Sequence, residues 1–251
     1  MIVFAFAAAL VAQEPVTLLY QPAVGSSYKT SMKIEQTGPM GDSTTSMNSV
    51  VKVLNLESGF YKLQTTTSDV KITGGQADTA EKNAKSMEKQ GVTYVDKNFK
   101  FKLDPKDAAK DPANKDLLNG LTQAFSSISF PTKPVQIGET WTNSIDMGAM
   151  MKAMIPDPNA QASGKLNMVF KLVRADDSIV SIDTTMSGTV NLEVSGSGYP
   201  AITIKFSGAS TSTMERATGT PLDTNSKMTM DMDIAGQVIS ITQKITMKRT
   251  K

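Results

Sequence analysis

The chain has 251 residues and a formal net charge of +2, and it contains neither histidine nor cysteine. This length suffices for one large β domain or two small ones. The missing residue types exclude Ser-His-Asp and Cys-His catalysis, histidine- or thiolate-ligated metal centres, and disulfides. Lysines are scattered among acidic residues, so no basic stripe predicts binding to nucleic acid.

The chain begins with an uncharged apolar run over residues 1–12. This run is too short to span a bilayer, and it matches the hydrophobic region of a secretory signal, although no positive residue precedes it. We therefore expect residues 1–13 to be a signal peptide, and the mature chain to be an extracytoplasmic bacterial protein, periplasmic or secreted, without a transmembrane span. A buried N-terminal strand is the alternative interpretation.

A five-residue pattern occurs twice, as Val-Gly-Ser-Ser-Tyr over residues 24–28 and as Ile-Gly-Glu-Thr-Trp over residues 137–141. Each copy is followed by two runs of alternating apolar and polar residues, 51–53 and 63–66 in the first and 170–172 and 182–185 in the second, and the spacing between the two runs is the same in both copies. Such a repeat predicts two related β modules, each burying its apolar face against something else, often the other copy.

The first module is predicted to cover residues 14–75. A short apolar run over residues 16–20 predicts a strand. Alternation of apolar and polar residues then predicts three further strands near residues 28–35, 45–56 and 60–72.

Residues 76–129 form a predicted insertion of different character. The capping-box spacing that starts at Asp78 predicts a helix over about residues 79–90. Two short strands follow in this prediction, and apolar residues at helical spacing then predict a second helix that ends near residue 126.

The second module is predicted to cover residues 130–251. It starts with a strand that contains Trp141, and later runs of alternation predict further strands: 164–174, 179–194, 202–206, 228–234 and 239–247. The predicted fold class is therefore mainly β, with a curved antiparallel sheet of roughly ten strands from two related modules. Two short helices are inserted between the modules.

Methionine is frequent, with 16 residues, and two sets are regularly spaced. The first is Met147, Met150, Met151 and Met154, and the second is Met228, Met230 and Met232. An ordinary apolar core is the simplest interpretation of both sets. Flexible methionines can also line a face that adapts to a hydrophobic ligand. Cu(I) binding by the thioethers, with the first set as the metal site, is the least favoured interpretation.

The candidate ligand-binding residues are the second methionine set and the apolar face of the second predicted helix: Met228, Met230, Met232, Leu117, Leu121 and Phe125. Tyr28 and Trp141 occupy equivalent positions of the repeat. A repeated aromatic residue at a strand start is more often a core anchor than a ligand platform. We therefore expect a ligand between the two copies rather than at either aromatic residue.

Paired carboxylates offer the remaining route to catalysis. Asp231 and Asp233 share one face of a predicted strand, at a separation compatible with glycoside hydrolysis, but a solvated outer face explains them more simply. Asp157 and the pair Asp176-Asp177 could offer oxygens to calcium, yet turn chemistry accounts for both. No catalytic residue and no cofactor are predicted.

The stretch Phe-Pro-Thr-Lys-Pro-Val-Gln-Ile-Gly-Glu-Thr-Trp over residues 130–141, the upstream Gly-x-x-Tyr and the methionine-rich strands resemble an uncharacterised bacterial family of secreted and lipoprotein domains. The resemblance implies an envelope location and a β-rich fold, and it carries no catalytic residues with it. The chain departs from many members by lacking a lipid-attachment cysteine.

The sequence thus supports three hypotheses. The first is an exported, non-enzymatic envelope protein that binds a hydrophobic or lipid-like ligand. The second is a structural or protein-interaction module of the cell envelope, with a protein partner and no small ligand. Cu(I) binding through the methionine sets is the third.

Overall fold

The structure is a computed structural model that describes residues 14–39, 41–74, 84–103, 129–154, 160–194 and 200–250. These residues contain eleven strands: β1 Ser27–Thr37, β2 Ser43–Glu57, β3 Phe60–Gly74, β4 Gln90–Asp96, β5 Phe101–Leu103, β6 Thr140–Asp146, β7 Ala160–Ala175, β8 Ile179–Val194, β9 Ile202–Glu215, β10 Pro221–Ile234 and β11 Gln237–Thr250. A helical turn over residues 84–87 and the helix α1, Met147–Met154, accompany them.

All eleven strands belong to one antiparallel sheet in the order β5-β4-β3-β2-β1-β11-β10-β9-β8-β7-β6. The last strand, β11, pairs with β1 on one side and with β10 on the other. The end strands β5 and β6 do not pair with each other in the described part of the chain, so the sheet is not closed. The mainly β, antiparallel fold class is confirmed.

The twofold repeat of the sequence is also a repeat of hydrogen bonding. The Gly25 N–H donates to the Val53 carbonyl at 2.8 Å, and the Gly138 N–H donates to the Leu172 carbonyl at 2.7 Å. Both glycines have positive φ angles, 83° and 93°, which glycine adopts at little cost. A register irregularity follows Val53 in one copy and Leu172 in the other. The two copies are therefore built on the same backbone frame.

The equivalent strands keep a constant offset within the sheet. Strand β1 is fifth in the order and β6 is eleventh, and the pairs β2/β7, β3/β8 and β4/β9 are displaced by the same number of positions. Val53 of β2 and Leu172 of β7 nevertheless belong to one buried core. Because strands so far apart in the order contribute to the same core, the sheet must curve, and we call its inner side the concave face.

This first core is filled by the segments that precede the two copies. Val16 and Val135 exchange two backbone hydrogen bonds, of 2.7 and 2.9 Å. Tyr20 is only 1% exposed, and its N–H donates to the Lys97 carbonyl, while the N–H of Phe130 donates to the Asn98 carbonyl. The apolar side chains of both segments therefore fill the interior, while residues 132–134 remain exposed.

The strand predicted over residues 16–20 is wrong, because only Val16 forms a β-bridge. The segment is apolar, as a buried strand would be, but its backbone hydrogen bonds are divided among different elements. Val16 bonds to Val135 and Tyr20 bonds to Lys97, so no ladder develops.

A glycine marks a close approach of β7 and β8 on the concave face. A Cβ atom at Gly188 would lie 2.3 Å from the Lys165 carbonyl oxygen of β7. No side chain fits at that distance, so glycine is required where the backbones come this close.

The helix predicted over residues 79–90 ends earlier than expected. Only residues 84–87 are helical in the described part, and Gln90 already pairs with Thr66 in the sheet. The Lys89 carbonyl accepts the Thr67 N–H at 3.0 Å, so sheet pairing takes over directly after the helical turn. No helix in the described ranges is long and apolar enough to cross a membrane.

Helix α1 lies within the second module, where no helix was predicted. Its N-terminus is capped by the Asp146 carboxylate, which accepts the Ala149 N–H at 2.8 Å. Gly148 lets the helix lie against β7, since a Cβ there would be 2.6 Å from the Ser163 Cα. The helix thus covers part of the concave face.

Candidate functional site

A cavity of about 180 Å³ lies between the second module and the segments that fill the first core. Its lining is mostly apolar and includes four aromatic side chains: Phe99, Phe130, Trp141 and Phe170. Hydroxyl groups line it as well: Ser129, Thr184, Ser212 and Thr224. We call this space the aromatic cavity.

The repeat positions one wall of the aromatic cavity. Trp141 follows the Gly138 turn at the start of β6 and pairs in register with Phe170 of β7. The two rings are stacked, with centroids 5.4 Å apart and planes 10° apart. Phe170 is in turn opposite Thr184 of β8, which is buried.

The opposite wall comes from outside the second module. Strands β4 and β5 lie within the predicted insertion, but β4 pairs with β3, and we count both strands with the first module from here on. Phe99 lies in the β4–β5 hairpin with a positive φ of 67°. Its ring is 5.2 Å from that of Phe130, in the segment that leads into the second module. The cavity is therefore lined by residues of the second module, of the β4–β5 hairpin and of the connection between the copies.

Two polar features distinguish the lining from an ordinary core. The indole Nε1 of Trp141 is buried and has no hydrogen-bond partner among the described residues. The hydroxyls of Ser212 and Thr224 lie 3.2 Å apart and form one hydrogen bond. Buried donors are normally paired, so an indole N–H without an acceptor is unusual.

The corresponding aromatic residue of the first module, Tyr28, has a different environment. The Arg249 guanidinium lies over its ring at 5.6 Å, and burial raises the pKa of its phenol. Beside it lies Tyr20, whose pKa is raised by burial and, further, by the neighbouring Tyr28 phenol. The Tyr20 ring also makes edge contacts with Tyr61 at 5.8 Å and Phe99 at 5.3 Å.

The fold brings the two predicted methionine sets together on the concave side of the second module. They pack against one buried cluster, the methionine-rich cluster, whose methionines come from α1, β7, β8 and β10: Met147, Met150, Met151, Met168, Met186, Met228, Met230 and Met232. Met168 and Met186 were not in the sequence prediction. Phe170 packs against this cluster and also lines the aromatic cavity, so the two features adjoin.

Some of the candidate residues cannot be placed. Leu117, Leu121 and Phe125 lie outside the described residues, as does the side chain of Met154. The part of the candidate site that the structure describes is thus the methionine face and not the second predicted helix.

The paired carboxylates of β10 are used in local hydrogen bonds on the face opposite the methionines. Asp231 accepts the Ser240 hydroxyl at 2.6 Å, and Asp233 accepts the Gly236 N–H at 2.9 Å in the hairpin turn. Asp176 accepts the backbone N–H groups of Ser178 and Ile179, and these bonds hold its pKa well below the usual range.

Hydrogen bonds within the turn therefore account for Asp176, which is the interpretation that the sequence favoured over a calcium site. Asp157 lies outside the described residues. Within the described ranges, no three acidic side chains group as metal ligands would.

Sequence reasoning missed Phe99, Phe130, Ser212 and Thr224 as cavity residues. Alternation assigns the two hydroxyl residues to the same strand faces as Met214 and Met228, respectively, and so places them on the concave face. No pattern in the sequence around these two residues indicates that a cavity lies beside them.

Comparison with protein-family profiles and with curated protein sequences finds no match. Among solved structures, the chain is similar to a Bacteroides fragilis protein described as a "putative exported protein with YmcC-like fold". The alignment has 9% identity and a TM-score of 0.27, and it covers 93% of this chain and 99% of that one. A likeness this weak carries no argument about function, so the family resemblance stays a prediction.

Proposed function

We propose that the chain is an exported, non-enzymatic envelope protein that binds a hydrophobic or lipid-like ligand on the concave face of its second module. The observation that carries this proposal is the convergence of the two methionine sets on one cluster that adjoins the aromatic cavity. Export is supported by the apolar run over residues 1–12.

The exposure of the methionines favours a binding surface over a closed core. Met228, Met230 and Met232 are only partly buried on the concave face. Methionine is unbranched and polarizable, and it adapts to ligands of different shape. A partly exposed row of such side chains is typical of a surface that another apolar molecule covers.

The size of the aromatic cavity limits what enters it. Pockets for whole drug-sized ligands measure roughly 300–1,000 Å³. The aromatic cavity measures about 180 Å³. It therefore accommodates one end of a ligand, while the remainder of the molecule lies along the methionine-rich cluster.

The non-enzymatic part of the proposal is supported by the chemistry of the chain. It has no histidine and no cysteine, and the paired carboxylates of Asp231 and Asp233 are engaged in hairpin hydrogen bonds. No pair of acid and base faces the aromatic cavity among its described lining residues.

A dansyl-labelled undecanoic acid tests the proposal, because its emission rises when it leaves water. We expect saturable binding to the purified protein and displacement by palmitate. Met230→Gln places an amide on the concave face and is expected to weaken binding about tenfold, the equivalent of about 1.4 kcal/mol. Thr229→Gln, on the opposite face of β10, is the matched control and should bind as the wild type does. Absence of saturable binding, or equal loss in both variants, would contradict the proposal.

Cu(I) binding is the second candidate function, since the same convergence brings thioethers of α1 and β10 to one cluster. Titration with Cu(I) against a competing chelator distinguishes it. Stoichiometric uptake that Met150→Leu and Met151→Leu remove, from a protein that shows no saturable fatty-acid binding, would favour the metal over the hydrophobic ligand.

A protein-interaction module without a small ligand remains the alternative. Leu54 and Leu56 of β2 are 40% and 52% exposed, which supports a contact surface at this end of the strand. Leu54→Ser with Leu56→Ser should abolish capture of an envelope partner if this alternative holds, and should leave fatty-acid binding intact if the first proposal holds.

A further inference from the structure

We propose that the aromatic cavity is a site for one phenol-like ring, and that Tyr20 occupies the corresponding space of the first module. The inference rests on the proposed function, in that it assigns the ring to the end of the ligand that enters the cavity. It follows from a comparison of the two copies, position by position.

Strand register defines which residues of the copies correspond. Tyr28 is opposite Val51 as Trp141 is opposite Phe170. The register of β3 with β4 and of β8 with β9 extends the correspondence, and the resulting pairs are Tyr28/Trp141, Val51/Phe170, Leu63/Ile182, Thr93/Ser212 and Val95/Met214. The second member of every pair lines the aromatic cavity.

In the first module, the chain itself supplies an aromatic ring at this place. Tyr20 is buried in one core with Leu63 and Val95, and its phenol lies beside that of Tyr28. Phe99 contacts the Tyr20 ring on one side and lines the aromatic cavity on the other. One copy is thus filled by a tyrosine of the preceding segment, and the other copy retains a cavity.

The dimensions of the cavity fit a single ring. An apolar protein cavity of roughly 150 Å³ holds benzene. At about 180 Å³, the aromatic cavity has room for a ring with one or two further atoms. The stacked rings of Trp141 and Phe170 provide a flat apolar wall for it.

The polar groups of the cavity favour an oxygen on that ring. The Trp141 N–H is a buried donor that lacks an acceptor among the described residues, and the hydroxyls of Ser212 and Thr224 can both donate and accept. A phenol oxygen meets both needs. In the first module, by contrast, the Tyr20 hydroxyl is buried without a hydrogen-bond partner among the described residues. A purely apolar ring would leave the indole donor unpaired.

The free side chain of tyrosine, p-cresol, is the probe that tests the inference. Trp141 is the only tryptophan of the chain, so its fluorescence reports binding at this place. We expect a saturable change in Trp141 emission with one p-cresol per chain. Toluene, which has the ring without the oxygen, should bind about tenfold more weakly, the equivalent of about 1.4 kcal/mol.

Two equivalent substitutions provide the matched control. Ser212→Leu fills the aromatic cavity and is expected to weaken p-cresol binding at least about tenfold, whereas Thr93→Leu changes the corresponding residue of the first module and should not. Thermal unfolding of both variants confirms that they are folded. Equal p-cresol binding by Ser212→Leu and the wild type would overturn the inference.

The wild-type protein alone separates the inference from the proposed function. Binding of dansyl-undecanoic acid without any saturable response to p-cresol would overturn the ring site and leave the proposed function standing. Binding of p-cresol without the fatty acid would support the ring site and contradict a lipid-like ligand. If neither probe binds, both proposals fail.

Discussion

Beside Tyr28 of the first module lies Tyr20, which is 1% exposed, whereas beside Trp141 of the second module lies a cavity of about 180 Å³. The backbone around the two aromatic residues is the same, with equivalent glycine hydrogen bonds of 2.8 and 2.7 Å. The shared backbone of the two copies therefore does not determine what occupies the space beside the aromatic residue. The segment that precedes each copy determines it.

The strands after the two turns diverge as well. Strand β1 runs for 11 residues, but its counterpart β6 has 7 and is followed directly by α1. The helix brings Met147, Met150 and Met151 over the concave face, where the first module has no such cover in its described part. A strand shortened in one copy thus creates the methionine-rich cluster.

The largest effect expected is from removing the ring that fills the first module. Tyr20→Ala should lower the free energy of unfolding by about 3–5 kcal/mol, because it leaves a cavity in the core. Tyr20→Phe keeps the ring and should cost about 1 kcal/mol or less. Urea denaturation measures both, and a loss below about 1 kcal/mol for Tyr20→Ala would show that the ring does not support the core.

Truncation of the equivalent core residues tests whether the two copies share one core. Leu172 and Val53 are 0% and 1% exposed. Leu172→Ala should cost about 2–5 kcal/mol, and Val53→Ala about 2 kcal/mol because fewer carbons are removed. The exposed Val238→Ala is the control, with a change within about 0.5 kcal/mol. Separate unfolding transitions for the two core variants would contradict a single core.

The turn glycines allow the two copies to be compared without any contribution from side-chain packing. A Cβ at Gly25 or Gly138 would meet no atom within 4 Å, and both φ angles are positive. Gly25→Ala and Gly138→Ala should therefore each cost about 1–2 kcal/mol through backbone conformation alone. Gly91→Ala, where space is equally open and φ is not positive, should not destabilise. Unequal costs in calorimetry would show that the two turns differ.

The smallest effect concerns the hairpins that follow β2 and β7. The first turns through Ser58 and Gly59 with positive φ angles, and the second through the carboxylate of Asp176. Hydrogen bonds lower the pKa of Asp176 in the folded chain, so its stabilisation is present at neutral pH. This stabilisation declines as the pH falls below about 4, the ordinary pKa of Asp, and it is lost as the pH falls through the lower pKa of the folded chain.

Asp176→Asn should therefore be slightly less stable than the wild type at pH 7, and the difference should shrink in acid. Urea midpoints between neutral pH and pH 2 measure this. Ser178→Ala, which removes one donor to the carboxylate, should reduce the same pH dependence in part. A constant difference across the range would show that the carboxylate charge plays no role in the turn.

Alternation was sufficient to predict most strands, because each buries one face and exposes the other. The repeat around Gly25 and Gly138 predicted the two related frames. Other features depend on contacts distant in sequence. Tyr20 belongs to an apolar run that resembles a strand, and only the Lys97 carbonyl and the surrounding rings of the fold reveal its role as a filling residue.

Helix α1 could have been predicted. Met147, Met150, Met151 and Met154 recur at i, i+3, i+4 and i+7, which is the spacing of one helical face. In the sequence, that spacing was considered only for what the methionine side chains could bind or bury, and not as the signature of a helix. The aromatic cavity could not have been predicted, since Phe99, Phe130 and Trp141 come together only through the curvature of the sheet.

The number of p-cresol molecules bound per chain, in the wild type and in Tyr20→Ala, tests most directly whether Tyr20 substitutes for a ligand. Isothermal titration calorimetry should give one in the wild type and two in the variant, with the second site restoring the stability that the substitution removes. One molecule in both proteins would show that the two spaces are not equivalent, and none in the wild type would show that the aromatic cavity is not a ring site.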